Sequence, residues 1–329
     1  MSSEATEESS LGYILVLVAG ITYSFTAILS TLLTKMGVPS IEQGFFRISV
    51  TALLFGLVLL LKSPLRKIRR GDVKFFVING LFGVSLSIIA YLSSIALGTP
   101  VAVAVTLSYL QPMFSVIFAR LFLREGITFV KVIAVGTSIL GASIVSGLWQ
   151  VFGTVTSIPV LGALLAAMNG FFYSVYVIVG RLSGSNKSYS FATTMFYSFF
   201  FATLWSIPLW LLMSAFINDQ AVTGLVLNFP VDALVLVLAL IFVSTVTPYA
   251  LLAMGLRRVK ASRAGVILLV EPVSVMIMGV FILNQPLTSW DLAGAILILS
   301  ATVLVSIEDR IRRHLSKKPR STKQKSRPA

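Results

Sequence analysis

The sequence predicts an all-α polytopic membrane protein with ten transmembrane helices, arranged as two inverted five-helix repeats. The 329-residue chain is 57% hydrophobic and only 12% charged, whereas a soluble domain carries about 25% charged residues. Its apolar residues form repeated runs of about 20, the length that a helix needs to cross a bilayer. Spanning segments must satisfy their own backbone groups, and the short alternating segments of a β-barrel are absent, so these runs are predicted to be helices.

Ten spans are predicted, and most of the connections between them are short. An N-terminal tail (1–10) precedes the first repeat (11–148), which is followed by the second repeat (149–307) and a basic tail (308–329). The predicted spans are 11–34, 43–61, 74–97, 100–121, 129–148, 158–181, 189–214, 232–255, 262–283 and 288–307.

The distribution of Lys and Arg predicts the orientation of the chain. Of the 26 basic residues, all except Lys35 and Arg47 fall in the even-numbered connections or in the tail after the last span. Because basic residues are retained on the cytoplasmic side, both termini are predicted to be cytoplasmic, in a multi-pass protein of the plasma membrane. The basic tail is expected to lie near anionic membrane lipids.

An internal repeat relates the two halves. Tyr23 and Ser24 recur 150 residues later as Tyr173 and Ser174, and beyond the longer 215–231 connection the spacing becomes 160. Six residues of the first half recur at this spacing of 160 residues: Pro112, Ile117, Leu123, Thr128, Val145 and Ser146. Because each unit has an odd number of spans, the second copy is predicted to enter the membrane upside down. Inverted repeats with polar positions at mid-membrane are typical of secondary transporters.

Two spans carry a polar residue followed by proline near their middle. Gln111 precedes Pro112, and Glu271 precedes Pro272 at the equivalent place in the second repeat. A carboxylate at this depth costs at least ~2.5 kcal/mol, so Glu271 is expected to face protein or a water-filled cavity. Because burial disfavours the ionised form of a carboxyl group, Glu271 is a candidate for proton uptake or for pairing with a cation. The alternative is a structural carboxyl group that stabilises a helix broken at the proline.

Gln111 and Arg47 have competing interpretations too. Gln111 is a candidate gate or substrate contact, although amides also bridge membrane helices for structural reasons. Arg47 lies about four residues from the external end of its span, so either a structural role or an outward extension of its side chain to the interface is expected. Pairing with Glu271, as part of a binding or coupling site, is the alternative.

Several other spans have polar faces at helical spacing, including Thr26 beside Tyr23 and Ser87 beside Tyr91. Together these faces predict one shared cavity, although for any single residue packing or interfacial anchoring is the alternative. The candidates on these faces are Tyr23, Tyr91, Ser108, Asn169, Tyr173, Tyr176, Tyr249 and Ser274. Such a lining suits a small amphipathic solute such as an amino acid. It suits a sugar phosphate poorly, because no deep Lys or Arg cluster is available.

The composition argues against several other classes of protein. Cysteine is absent, the single histidine (His314) lies in the basic tail, and the deep spans contain no aspartate, so neither a nucleophile–base pair nor a metal-ligand set is expected. The sequence has no P-loop. We therefore expect no enzyme activity, no cofactor and no metal, and no binding of nucleic acid.

The chain resembles the drug/metabolite transporter superfamily, in its ten-helix EamA-like branch. The resemblance covers about 11–307 and is carried by GFFRISVTALLF around Arg47, YLQPMFSVIFARLFLREGIT around Gln111, and LLVEPVSVMIMGVFILNQPLTSWDLAGAILILSATVLV around Glu271. It implies a central cavity between spans 1–4 and 6–9, spans 5 and 10 at the periphery, and alternating access. One departure is that Gln285 replaces the acidic residue expected in the turn equivalent to that of Glu125.

The function predicted is secondary transport of a small metabolite, with export favoured and uptake as the alternative. Coupling to protons is predicted from Glu271 alone, and uncoupled exchange stays open; a channel is the alternative of a different class. A monomer is expected. The fifth span carries a row of small residues, which are expected to pack within the monomer, with a dimer contact as the alternative. They are Ala134, Ser138, Ala142 and Ser146.

Overall fold

A computed structural model describes residues 10–61, 68–99, 101–145, 148, 159–183, 189–217, 219–226, 231–283 and 288–316. All regular elements in these ranges are helical. The first half contains α1 (Ser10–Tyr23), α2 (Phe25–Lys35), α3 (Ser40–Leu61), α4 (Arg70–Ala96), α5 (Val101–Ser108), α6 (Gln111–Leu123) and α7 (Phe129–Val145). The second half contains α8 (Val160–Arg181), α9 (Phe191–Phe216), α10 (Gln220–Thr223), α11 (Val231–Gly255), α12 (Ala261–Ile267), α13 (Val270–Leu283) and α14 (Ser289–Ser316).

Within the described ranges, seven helical segments are long and apolar enough to cross a membrane, and Phe129–Val145 and Leu292–Val305 are shorter apolar helices. The predicted ninth span is divided at 268–269 into α12 and α13. The chain is therefore a multi-pass helical protein, while the count of ten spans and their inversion stay predictions. The seven segments are Ser10–Lys35, Ser40–Leu61, Arg70–Ala96, Val103–Leu123, Val160–Arg181, Phe191–Phe216 and Val231–Gly255.

The two halves depart from α-helical geometry at matching places. Tight turns at 109–110 and 268–269 interrupt α5–α6 and α12–α13, and π-helical segments occur at Asn79–Leu86 in α4 and Phe242–Val246 in α11. Each pair is related by a sequence spacing close to 160. Pro112 and Pro272 lie in the first turn after each interruption, where the missing amide proton of proline removes no helical hydrogen bond.

The main core joins helices from both halves. It includes Val16 of α1, Ile48 of α3, Tyr176 of α8 and Leu252 of α11, all fully buried. Many large apolar residues on the outer faces are exposed, as expected of a surface that contacts lipid. The core fixes the positions of the helices around a central cavity.

Helices α7 and α14 pack along one another at one side of the molecule. Ala134, Ser138 and Ala142 are fully buried, and a side chain at Gly141 would meet the backbone oxygen of Gly294 at 2.7 Å. The small residues of α7 therefore pack against α14 of the same chain; Ser146 lies outside the described residues.

Candidate functional site

A buried cavity of about 110 Å³ lies between helices of both halves. Nine of the eleven residues predicted to bind or couple substrate line it. They are Tyr23, Arg47, Tyr91, Ser108, Gln111, Asn169, Tyr173, Tyr249 and Glu271. The structure thus brings together side chains that lie as far apart in the sequence as Tyr23 and Glu271.

Tyr176 and Ser274 do not line this cavity. Tyr176 is fully buried behind it, where its ring packs against Tyr249 at a centroid distance of 4.9 Å and its hydroxyl group lies 3.3 Å from the sulfur of Met195. The hydroxyl group of Ser274 donates to the backbone oxygen of Val270, one turn earlier in its own helix. These two candidates therefore lie outside the lining of the cavity.

The cavity wall also contains residues that are absent from the predicted set. Thr26 and Ser87 lie on polar faces that were recognisable in the sequence, whereas Tyr109 gave no such signal beyond its position two residues before Gln111. Leu269, which stands at the 160-residue spacing from Tyr109, lines the cavity as well. The remaining apolar members are Ile88, Val105 and Leu268.

The side chain of Arg47 points into the protein. It is only 4% exposed, its Nε donates to the hydroxyl oxygen of Thr245 over 2.8 Å, and its Nη2 donates to the backbone oxygen of Ser244 over 3.3 Å. The expectation that Arg47 extends outward to the interface is therefore wrong. Both acceptors lie in the π-helical segment of α11. Their hydrogen bonds hold the side chain of Arg47 inside the protein, although the membrane surface is near.

The carboxyl group of Glu271 faces the same cavity from the first turn of α13. Within the described residues it accepts no side-chain or backbone hydrogen bond and forms no ion pair within 4 Å, with Arg47 or with any other group. The two opposite charges lie close enough to interact electrostatically. A carboxylate and a guanidinium group that share one cavity are thus available to a charged ligand.

Gln111 begins α6 directly after the turn at 109–110. Its side-chain amide donates to the hydroxyl group of Ser115 over 2.8 Å, and its backbone oxygen accepts from Ser174 of α8 over 2.9 Å. Helix α8 approaches closely here because Gly170 has no side chain: a Cβ atom at this position would meet the backbone oxygen of Ser108 at 2.6 Å. The interrupted helix is therefore held against α8 by a close backbone contact.

Tyrosine rings form one wall of the cavity. Tyr23 packs edge-to-face against Tyr173 and Tyr249, at centroid distances of 5.9 and 5.3 Å. The hydroxyl groups of Tyr23 and Tyr173, like that of Thr26, are buried and make no hydrogen bond of good geometry within the described part of the chain. The wall therefore buries three hydroxyl groups beside the cavity.

Asn169 of α8 ties the opposite wall to α4. Its amide nitrogen donates to the backbone oxygen of Ser87 over 2.8 Å and lies 3.1 Å from the hydroxyl oxygen of the same residue. Ser87 follows the π-helical segment of α4.

A second polar network lies on the side of the molecule that is predicted to be cytoplasmic. Glu125 accepts from the backbone nitrogen of Ala261 at 3.1 Å and from the hydroxyl group of Ser262 at 2.5 Å, at the start of α12. Lys131 lies 3.7 Å from Glu125. Because a carboxylate is favourable at a helix N-terminus, these contacts fasten α12 to the turn after α6. The equivalent Gln285 lies outside the described residues.

Arg263, in the first turn of α12, extends this network. It donates to the hydroxyl group of Tyr13 over 3.1 Å and lies 3.5 Å from the carboxylate of Glu308. Both Arg263 and Glu308 are buried. The network therefore joins α1, α12 and α14 on the same side as the Glu125 contacts.

No group of three or more His, Cys, Asp or Glu residues that could hold a metal ion occurs among the residues that the structure describes.

Comparisons with known proteins agree with this architecture. The chain matches the EamA-like transporter family twice, over residues 10–147 and 160–307. It is 22% identical to an uncharacterized transporter of Clostridium kluyveri, over 89% of this chain and 92% of that protein. It is 27% identical to an uncharacterized transporter of Archaeoglobus fulgidus, over 79% of this chain and 86% of that protein.

Two further similarities differ in extent. A riboflavin transporter of Brucella anthropi is 32% identical over 138 residues, which are 41% of this chain and 46% of that protein. A solved crystal structure superimposes with a TM-score of 0.72 at 20% identity, covering 92% of this chain and 98% of the other, which shows a shared fold. The chain belongs to the EamA-like transporter family, within the drug/metabolite transporter superfamily.

Proposed function

We propose that the chain is a secondary active transporter that moves a small zwitterionic metabolite, such as an amino acid, by alternating access. The observation that carries the proposal is the pairing of Arg47 and Glu271 in one cavity without an ion pair between them. A zwitterion offers a carboxylate to the guanidinium group and an ammonium group to the carboxyl group. A solute with both charges would therefore neutralise both residues.

Ten helices in two inverted repeats provide the scaffold in this proposal. Support comes from the paired turns at 109–110 and 268–269 and from the paired π-helical segments. In secondary transporters, substrate sites lie near the midplane, where discontinuous helices of the two repeats meet. Gln111 and Glu271, which closely follow the two turns, are the proposed substrate contacts at this depth.

Glu271 is also the proposed site of proton coupling. A carboxyl group in an apolar setting takes up a proton more readily than one in water, and exchange of this proton for the ammonium group of a substrate would couple the two fluxes. Export from the cytoplasm across the plasma membrane, with both termini cytoplasmic, is the direction proposed; uptake and uncoupled exchange are the alternatives. Residues Gln111, Asn169, Ser108 and Thr26 would position the solute.

A flat aromatic solute is a second candidate. The tyrosine rings of the cavity favour it, since aromatic rings pack well edge-to-face and offset-stacked. The riboflavin transporter of Brucella anthropi provides a concrete compound to test, although the match spans less than half of that protein. Riboflavin would need the cavity to open beyond its volume of about 110 Å³.

A solute panel in proteoliposomes tests the proposal. Labelled neutral amino acids, their amines, riboflavin and a sugar phosphate are measured with and without an imposed pH gradient. We expect saturable transport of a neutral amino acid that responds to the gradient. Transport of riboflavin alone would favour the second candidate, and sustained currents far above carrier turnover would favour a channel.

A further inference from the structure

An apolar groove lies on the outer surface between α3 and α9, away from the central cavity. Its volume is about 460 Å³, within the ~300–1,000 Å³ that is usual for ligand sites. Leu53, Leu57 and Leu60 form one side, and Phe196, Phe200 and Leu204 form the other. Leu53 and Leu60 are more than 60% exposed, so the groove opens toward the membrane. We call this feature the α3–α9 groove.

Gly56 creates the floor of the α3–α9 groove. A Cβ atom at this position would meet the ring of Phe196 at 3.0 Å, and no other neighbour lies within 4 Å. A larger side chain would therefore fill the space between the two helices. The depression thus depends on a single residue that has no side chain.

The length of the groove matches one leaflet of a bilayer. Its residues on α3 run from Ser49 to Leu60, a helical rise of roughly 16 Å. The hydrocarbon core of a bilayer is ~30 Å thick, so this is about half of it. The far end of α3 at Leu61 lies on the side that is predicted to be cytoplasmic. The groove thus covers the depth of one acyl chain in that leaflet.

Basic residues stand at the cytoplasmic end of the groove. Tyr197, which lines the groove, contacts the ring of Phe76, and Phe76 contacts Tyr189, each at a centroid distance of 5.6 Å. The hydroxyl group of Tyr189 accepts from the backbone nitrogen of Arg69 at 3.1 Å. Through Phe76 and Tyr189, these contacts link Arg69 to the cytoplasmic end of the groove.

The surface around Arg69 carries a net positive charge. The side chains of Arg69, Arg70 and Lys74 are exposed, while Asp72, the acidic residue among them, accepts a hydrogen bond from Tyr189 over 2.7 Å. Exposed basic groups at a membrane surface attract anionic lipid headgroups.

We infer that the α3–α9 groove binds one acyl chain of an anionic phospholipid, with the headgroup held by Arg69 and Arg70. The inference uses the orientation given under the proposed function. It does not depend on the transported solute, because its readout is bound lipid rather than transport.

Native mass spectrometry of the purified full chain tests this inference, with phosphatidylglycerol and phosphatidylcholine of identical acyl chains as probes. We expect the wild-type protein to retain one phosphatidylglycerol in preference to phosphatidylcholine. Gly56→Leu should abolish this retention by filling the groove. Gly136→Leu is the matched control, since Gly136 is exposed and has no neighbour within 4 Å of an added Cβ atom.

A second variant tests the headgroup without altering the packing. The double substitution Arg69→Gln and Arg70→Gln should reduce the preference for phosphatidylglycerol by about tenfold or more, since each basic residue near the surface contributes to anionic lipid binding. Arg120→Gln, an exposed arginine on the same side, should leave the preference unchanged. Equal binding of the two lipids by the wild-type protein, or full retention by Gly56→Leu, would overturn the inference.

Discussion

Arg47 and Glu271 line the same buried cavity from different halves of the chain, and no ion pair within 4 Å joins them. Arg47 is held instead by Thr245 and Ser244. Separating two buried charges is costly unless another partner or solvent satisfies them. The arrangement therefore leaves an anionic and a cationic position open to one solute, and the first predictions concern these two residues.

Glu271→Gln removes the negative charge and keeps the shape of the side chain. We expect transport of a neutral amino acid to fall at least tenfold, because a hydrogen bond to a charged group contributes about 1.5–3 kcal/mol. The residual transport should no longer vary with a pH gradient. Initial rates in proteoliposomes between pH 5 and pH 8 provide the measurement.

Glu42→Gln is the matched control for this substitution. Glu42 is also a buried carboxyl group, 1% exposed, but it accepts a hydrogen bond from the backbone nitrogen of Val226 and does not line the cavity. Its variant should keep the wild-type pH dependence. Wild-type rates and pH dependence in Glu271→Gln would show that its carboxyl group is structural.

Thr245→Val should destabilise the protein by ~1–3 kcal/mol, because it removes the acceptor for Nε of the buried Arg47. Arg47→Lys should lose the same bond while keeping the charge, so the double variant is expected to be less destabilised than the sum of the two single variants. The measurement is unfolding in detergent, followed by tryptophan fluorescence. If the two changes in the free energy of unfolding are strictly additive, the hydrogen bond between Arg47 and Thr245 is not formed.

Gly170→Ala should destabilise the protein by ~1–3 kcal/mol, since the added methyl group meets the backbone oxygen of Ser108 at 2.6 Å and the helices must separate. The same substitution at Gly136, which faces open space, should be neutral or slightly stabilising. Thermal unfolding of the two purified variants is compared. Equal melting temperatures would argue against the close approach of α8 to the interrupted helix.

Glu125→Ala should loosen the cytoplasmic side by releasing the start of α12. The chain has no cysteine, so a single Thr26→Cys substitution reports access to the cavity without background. In inside-out vesicles we expect Glu125→Ala to raise the rate of labelling by a membrane-impermeant maleimide several-fold.

Glu42→Ala is the control for this experiment, because Glu42 binds Val226 on the side that is predicted to be external. It should raise labelling in right-side-out cells and leave labelling in inside-out vesicles unchanged. If Glu125→Ala has no effect from either side, the Glu125 contacts do not close the cavity.

Much of the fold and of the cavity could be predicted from the sequence. Apolar runs of about 20 residues predict membrane-spanning helices directly. Polar residues at helical spacing lie on one face of a helix, so Tyr23, Tyr91 and Asn169 were recognisable as candidates to line a cavity. The repeat added Gln111 and Glu271, because equivalent positions in two related halves lie at equivalent depths.

Other features depend on contacts that a single sequence does not contain. The direction of Arg47 is decided by Thr245 and Ser244 of a distant helix, and spacing cannot reveal that choice. Successive residues on a helix are rotated by about 100°, so modest changes in helix orientation separate Tyr173, which lines the cavity, from Tyr176, which packs behind it. Tyr109 was missed because an isolated aromatic residue in an apolar span looks like a residue that packs in the core.

The central claim is that Arg47 and Glu271 bind the two charges of one zwitterion. It is tested most directly by the affinities of wild-type, Arg47→Gln and Glu271→Gln proteins for a neutral amino acid and for the corresponding amine, which lacks the carboxylate. The amino acid is the one that binds the wild-type protein most tightly in a panel of neutral amino acids. Dissociation constants are measured by titration of tryptophan fluorescence. We predict that Arg47→Gln lowers the affinity for the amino acid at least tenfold and leaves the affinity for the amine unchanged. Glu271→Gln should lower the affinity for both ligands. Equal losses for the two ligands in Arg47→Gln, or no binding by any amino acid of the panel, would contradict the account.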